Sequence, residues 1–212
     1  MPNPLAIRIV AIVVSIVFTI ASWMSTGNPD AIFLRFFSLA VFVATLAFTV
    51  WEKWAWKTRP AQLLATVPTN VNGTWRCTLT SSWVDPVTGQ GIEPKKVYLV
   101  VRQSFSSATI TLISDQSRSR SSLARSVRED DSWVLHYMYT NDPGFSVRDR
   151  SPIHHGSGIV QVIGRPSFRL IGHYWTDRKT RGDLVSDDYS RRHAEDYASA
   201  SGLFKRDCAG GV

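Results

Sequence analysis

Cysteine is nearly missing from this chain: its 212 residues hold two, Cys77 and Cys208. One sits in an alternating apolar run and the other in a Gly-rich tail. That leaves no disulfide framework and no metal-ligand spacing, and Cys77 reads as a small buried residue. Charge is nearly missing from the first fifty residues, which sets them apart from a remainder that reads like a soluble domain. A concentrated basic stripe is missing too. Lys and Arg outnumber Asp and Glu 24 to 17 overall, but only 19 to 15 from Asn70 onward. So mild an excess argues against DNA or RNA as a partner and suits a small anionic ligand or proximity to anionic lipid. Catalytic signatures are absent as well: there is no Gly-x-Ser-x-Gly, no His-Glu-x-x-His, no phosphate-cradling glycine loop and no compelling carboxylate pair. Neither an enzyme nor a cofactor is expected. His154-His155 is the one pair of metal-ligand type, but adjacent strand residues point to opposite faces and cannot easily share an ion.

What the N-terminus does have is length in apolar residues. Leu5 to Trp23 and Ala31 to Trp51 each approach the ~20 residues that cross a bilayer. Arg8 and Arg35 lie near segment ends, where a long side chain snorkels to the headgroups and anchors the helix. Between the segments, Gly27, Asn28 and Pro29 form a turn cluster without Lys or Arg. After the second come Trp51, Trp54 and Trp56 with Lys53, Lys57 and Arg59, an aromatic belt followed by cations. The positive-inside rule puts both termini in the cytoplasm. A cleaved signal peptide is the competing reading, weakened by the bulky Trp23 and by the second span that follows at once. The expected organisation is a transmembrane hairpin at 1–59 (helices 5–24 and 31–51), a linker at 60–72, a β domain at 73–190 and a tail at 191–212.

In the β domain the period switches to two. Trp75, Cys77 and Leu79 alternate with polar neighbours, and Val97 to Val101 is a β-branched and aromatic run. Ala108–Ile113, Ser121–Val127, Trp133–Tyr139, Gly158–Ile163, Phe168–Trp175 and Asp183–Tyr189 complete about eight strands, with a turn signal at Asn141-Asp142-Pro143-Gly144. Sequential strands hide their edges best by closing on themselves. The expected fold is therefore mainly β, a small eight-stranded up-and-down barrel of lipocalin type preceded by the hairpin. Gly73-Thr74-Trp75 matches the Gly-x-Trp with which lipocalins begin. A two-sheet sandwich is the alternative.

Polar residues recur inside these strands: serines around Arg118 and Arg120, then Tyr137, Tyr139, Asn141 and His154. The densest group runs from Gly172 to Gly182. Singly they read as solvated turns and outer faces. Together they describe a pocket with cations for phosphates, hydroxyls and amides for base edges, and rings for stacking.

Two apolar spans joined to Gly73-x-Trp75, Gln103 before Ser119-x-Ser121, Tyr139-x-Asn141-x-Pro143, His154-x-Gly156 and Gly172-x-Tyr174-Trp175-Thr176-x-Arg178-x-Thr180-x-Gly182 resemble one known group. It is the SMODS-associated, two-transmembrane, β-strand-rich effector family of the bacterial cyclic-oligonucleotide-based anti-phage signalling systems (CBASS). The resemblance implies that a partner nucleotidyltransferase makes a cyclic dinucleotide and that the barrel binds it. The protein then self-associates as a homo-oligomer, and its helices damage the inner membrane and arrest growth. It also implies that Ser119, Ser121, Tyr139, Asn141, His154, Tyr174, Thr176, Arg178 and Thr180 are ligand contacts. Arg178 and Thr176 would take a phosphodiester and a tyrosine would stack on a base. Gly73, Trp75 and Gly156 carry over as structural. The tail matches no family element and leaves a short helix, a flexible end or a self-association device open. Two other classes remain: a membrane-tethered carrier of an apolar molecule, and a structural membrane adaptor.

Overall fold

The segments of period-two alternation form eight strands: β1 (Gly73–Ser81), β2 (Lys95–Gln103), β3 (Ala108–Ile113), β4 (Ser117–Glu129), β5 (Ser132–Pro143), β6 (His154–Ile163), β7 (Arg169–Thr176) and β8 (Arg181–Ser190). A computed structural model describes residues 11–12, 14–16, 18–20, 23–24, 31–84, 88–149, 151–164 and 169–205, without the side chains of 31–40. The chain divides into two compact units, one of residues 1–67 with Ser104–Ser106 and the other of 68–103 with 107–212.

In the second unit each strand pairs antiparallel with the next and β8 returns to β1, giving a closed barrel without an edge. Trp75, Val97, Leu99, Val101, Leu135, Val160 and Leu184 pack inside it. The run Val97–Val101 is buried at every position because both of its faces are covered. Its odd members point into the barrel, while Tyr98 and Val100 lie under a C-terminal helix, Tyr197–Lys205, through Ala200 and Phe204. The Tyr98 and Phe204 rings stack at 5.8 Å, and Arg76 lies over the outer cluster 5.3 Å from the Phe204 ring centre. Thr74 Oγ1 donates to the Arg192 carbonyl and accepts from Ala194 N–H, fixing the approach to that helix. Of the alternatives open for the tail, its described part takes the helical one.

One end of the barrel is plugged. Trp75 Nε1 donates to the Val71 carbonyl at 3.0 Å, and Val71 N–H donates to the Gln103 side chain at 3.1 Å. Gly73 enters β1 at φ +136°, and a Cβ there would meet the Ser190 carbonyl at 2.3 Å. The Gly-x-Trp pattern thus serves closure: glycine admits the β8 backbone, and Trp75 plugs the end against the Tyr189 ring, 4.4 Å away.

Several strands run past their sequence-based bounds. The expected turn at Asn141-Asp142-Pro143 is instead the end of β5, paired with Ser119, Arg118 and Ser117; the chain turns only at Gly144. β6 starts at His154, not Gly158. The two-sheet sandwich is excluded by closure.

The first unit is described in part. The expected first span, 5–24, falls largely outside the described residues, and those described from 11 to 24 are helical. A 23-residue helix follows at Ala31–Lys53. Among the described residues no helix is long and apolar enough to cross a membrane, the described side chains of this one starting only at Val41. From there its surface is apolar and open: Phe42, Val43, Leu46, Phe48 and Val50 are all exposed. Its last turn is different. Glu52 is 1% exposed and accepts from Ser104 Oγ at 2.5 Å, Ser106 Oγ at 2.7 Å and Ser106 N–H at 3.0 Å. The expected linker holds a helical turn at Arg59–Gln62, and the boundary between units follows Val67.

Candidate ligand-binding site

Opposite the plugged end the barrel opens into a cavity of about 830 Å³, within the range of small-molecule sites. Its wall is built from the ends of β1, β3, β5 and β7 and the starts of β2, β4, β6 and β8, so every strand reaches the same mouth. Leu79, Val97, Leu112 and Leu184 form its apolar depth, and above them the lining turns polar. A barrel of this size leaves room for one small ligand where large side chains stop filling it.

Ser119, Tyr139, Asn141, His154, Tyr174, Thr176, Arg178 and Thr180 all line this one cavity. Ser119 Oγ donates to Asn141 Oδ1 at 2.8 Å between paired positions of β4 and β5, both 6% exposed. With its oxygen engaged, the Asn141 amide offers N–H donors to a ligand. Thr176 and Thr180 close the β7–β8 turn: their hydroxyls lie 2.6 Å apart, and Arg178 N–H donates to Thr176 Oγ1 at 3.2 Å. The turn lifts the Arg178 guanidinium to the mouth, where Nη1 donates to Ser151 Oγ at 3.0 Å. That contact uses one of five guanidinium donors and leaves the others for an anion.

Two tyrosines owe their positions to glycines across the strand. Tyr139 pairs with Gly156, and a Cβ there would sit 2.5 Å from its ring; Tyr174 lies likewise against Gly182, at 2.7 Å. The missing side chains let the rings lie along the wall. Burial pushes the phenols of Tyr139 and its neighbour Tyr137 well above the usual tyrosine range, so both stay neutral beside an anionic ligand.

Ser121 stands apart from the other eight. Its hydroxyl accepts from Ile110 N–H at 2.9 Å, just beyond the last β3–β4 backbone pair, and it does not line the cavity. Of the adjacent histidines, His154 lines the cavity while His155 bonds Thr140 on the neighbouring strand. Gln103 belongs to the plug.

Sequence reasoning passed over the rim beside β1 and β2: Trp83, Ile92, Glu93 and Lys95 share the cavity. A signal for Lys95 was present. Extending the inward phase of Val97, Leu99 and Val101 back two residues turns Lys95 inward.

The family model Cap15, cyclic dinucleotide receptor domain, matches residues 66–187. The chain belongs to this family of CBASS effectors. It is also similar to the CD-NTase-associated protein 15 of Staphylococcus schleiferi, 28% identical over 147 residues that cover 69% of this chain and 75% of that protein. The matched region starts just before the barrel plug and ends in β8, so it contains the whole cavity wall. The Cap15 domain is a receptor module, and the features of this site are those of binding: neutral rings, hydroxyls, an amide and cations around a concave space.

Proposed function

We propose that this protein is a CBASS effector whose barrel binds a cyclic dinucleotide in the open cavity. The ligand comes from a partner nucleotidyltransferase, and its binding drives self-association and disruption of the inner membrane by the N-terminal hairpin. The observation that carries the reading is the convergence of Arg178, Thr176, Asn141, Ser119, Tyr139 and Tyr174 on one cavity from four different elements, β4, β5, β7 and the β7–β8 turn. A phosphodiester takes the guanidinium and hydroxyls, base edges take the amide, and base faces take the rings. The family match and the CD-NTase-associated relative support the same ligand class and its enzymatic source.

The membrane half of the proposal rests on the two apolar segments and on a 23-residue helix, which at 1.5 Å per residue reaches about 35 Å. The exposed apolar surface described from Phe42 to Val50 suits lipid. Both termini then lie in the cytoplasm, where a nucleotide is made.

A carrier of apolar molecules is disfavoured by the cations, amide and hydroxyls in the lining, which would be desolvated without partners. A purely structural adaptor has no use for the cavity. The full chain in detergent, scanned thermally against a panel of cyclic dinucleotides, distinguishes the three. A cognate ligand at a hundred times its Kd raises the midpoint by roughly 5–10 °C. Stabilisation by fatty acids, or by no cyclic dinucleotide at all, sinks the reading.

A further inference from the structure

A cyclic dinucleotide presents nearly the same half twice: two phosphodiesters, two bases, one on each side of the ring. The residues matched by motif supply one half-site. Arg178 is their only full cation, and they come from β4 to the β7–β8 turn. Among the described residues lining the cavity, the one other Lys or Arg is Lys95, at the start of β2. It pairs with Leu79 of β1, whose other neighbour is Leu184 of β8. Lys95 therefore stands two strand spacings from β8, roughly 10 Å along the wall at ~4.8 Å per strand. Trp83 lies on the same rim, just after β1, a large ring left 39% exposed at the mouth of a polar cavity.

We propose that the β1–β2 rim is the second half-site: Lys95 takes the second phosphodiester and Trp83 stacks on the second base. This rests on the cyclic-dinucleotide reading above. A single guanidinium leaves one of two phosphate charges without a partner in the cavity, and Lys95 provides it. Tyr139 and Tyr174 lie along the wall on the Arg178 side, and Trp83 gives the β1–β2 side its π-face. Glu93 shares that rim, and its carboxylate opposes an anion placed at Lys95.

Fluorescently labelled cyclic GMP–AMP, cyclic di-GMP and cyclic di-UMP, titrated into the full chain in nanodiscs at several salt concentrations, test this. Lys95→Met lowers the affinity for the tightest of them about tenfold and reduces the slope of log affinity against log salt by about one. Lys95→Arg restores both. Trp83→Ala costs about fivefold or more and Trp83→Phe recovers most of it. Glu93→Gln tightens binding about two- to fivefold by removing a repulsion. Thermal midpoints of the unliganded variants stay at the wild-type value, since Lys95, Glu93 and Trp83 are exposed. Wild-type affinity and salt slope in Lys95→Met, or weaker binding in Glu93→Gln, overturn the second half-site while leaving the ligand class standing. Failure of the wild-type chain to bind any of the three overturns both.

Discussion

At the scale of single residues, the cavity is shaped as much by missing side chains as by those present. Gly156 is tied to its place from two sides: an added Cβ would lie 2.5 Å from the Tyr139 ring and 2.7 Å from the Trp175 carbonyl. The carbonyl is backbone and cannot swing away, so Gly156→Ala must displace the ring. We expect a loss of about 1–3 kcal/mol in unfolding free energy, as for other overpacked sites. We also expect weaker ligand binding, because Tyr139 moves off the wall. Denaturant midpoints and ligand titrations on the same preparation report both, and wild-type values in the two assays would refute this account of the tyrosine. The importance of Gly156 was legible as part of a motif. Its reason was not, because the close approach is made by residues 17 positions earlier and 19 later, and only the β5–β6–β7 register brings them together.

At the scale of elements, alternation revealed strands wherever one face was apolar and hid them where both faces were polar. β4 is the clear case. Its first residues are Ser117-Arg118-Ser119-Arg120-Ser121, with small hydroxyls on one face and cations on the other, so hydrophobic periodicity sees only the stretch from Ser121. The same blindness made Asn141-Asp142-Pro143 look like a turn: Asn141 is buried by its bond to Ser119, a partner no local rule could supply. The C-terminal helix was obscured for a related reason. Its Ala-Ser-Ala-Ser-Gly stretch carries little apolar signal, and its burial depends on Tyr98 and Val100, about a hundred residues away. Ser121 shows how the element-level view reassigns a motif residue. The β3–β4 backbone ladder stops at Thr111 and Arg120, and the Ser121 hydroxyl accepts the next N–H, that of Ile110. Ser121→Ala leaves this buried donor without an acceptor and costs about 1–3 kcal/mol of stability. Ligand affinity of the folded fraction stays at the wild-type value. Chemical denaturation and binding assays separate the two, and a loss of affinity at unchanged stability would return Ser121 to the site.

At the scale of the whole molecule, closure of the barrel has a consequence for how a bound ligand can be read out. Among the described residues the closed sheet leaves no free edge for strand addition, so self-association of the barrel would use side-chain surfaces or the apolar N-terminal segments. A ligand changes such an equilibrium only to the extent that it binds one state more tightly than the other. If the hairpin is the output and the barrel the sensor, the two functions separate by truncation, since the barrel has its own core. Full-length protein in dye-loaded liposomes should therefore release dye on addition of the cognate cyclic dinucleotide. Arg178→Ala should raise the ligand concentration needed by about tenfold or more, the effect of losing a charge-assisted contact. A fragment of residues 68–205 should bind with wild-type affinity, compete for the ligand, and release nothing. Release by the fragment would place the lytic activity in the barrel. Ligand binding by the full chain without any release would leave the receptor in place and remove the membrane from the mechanism.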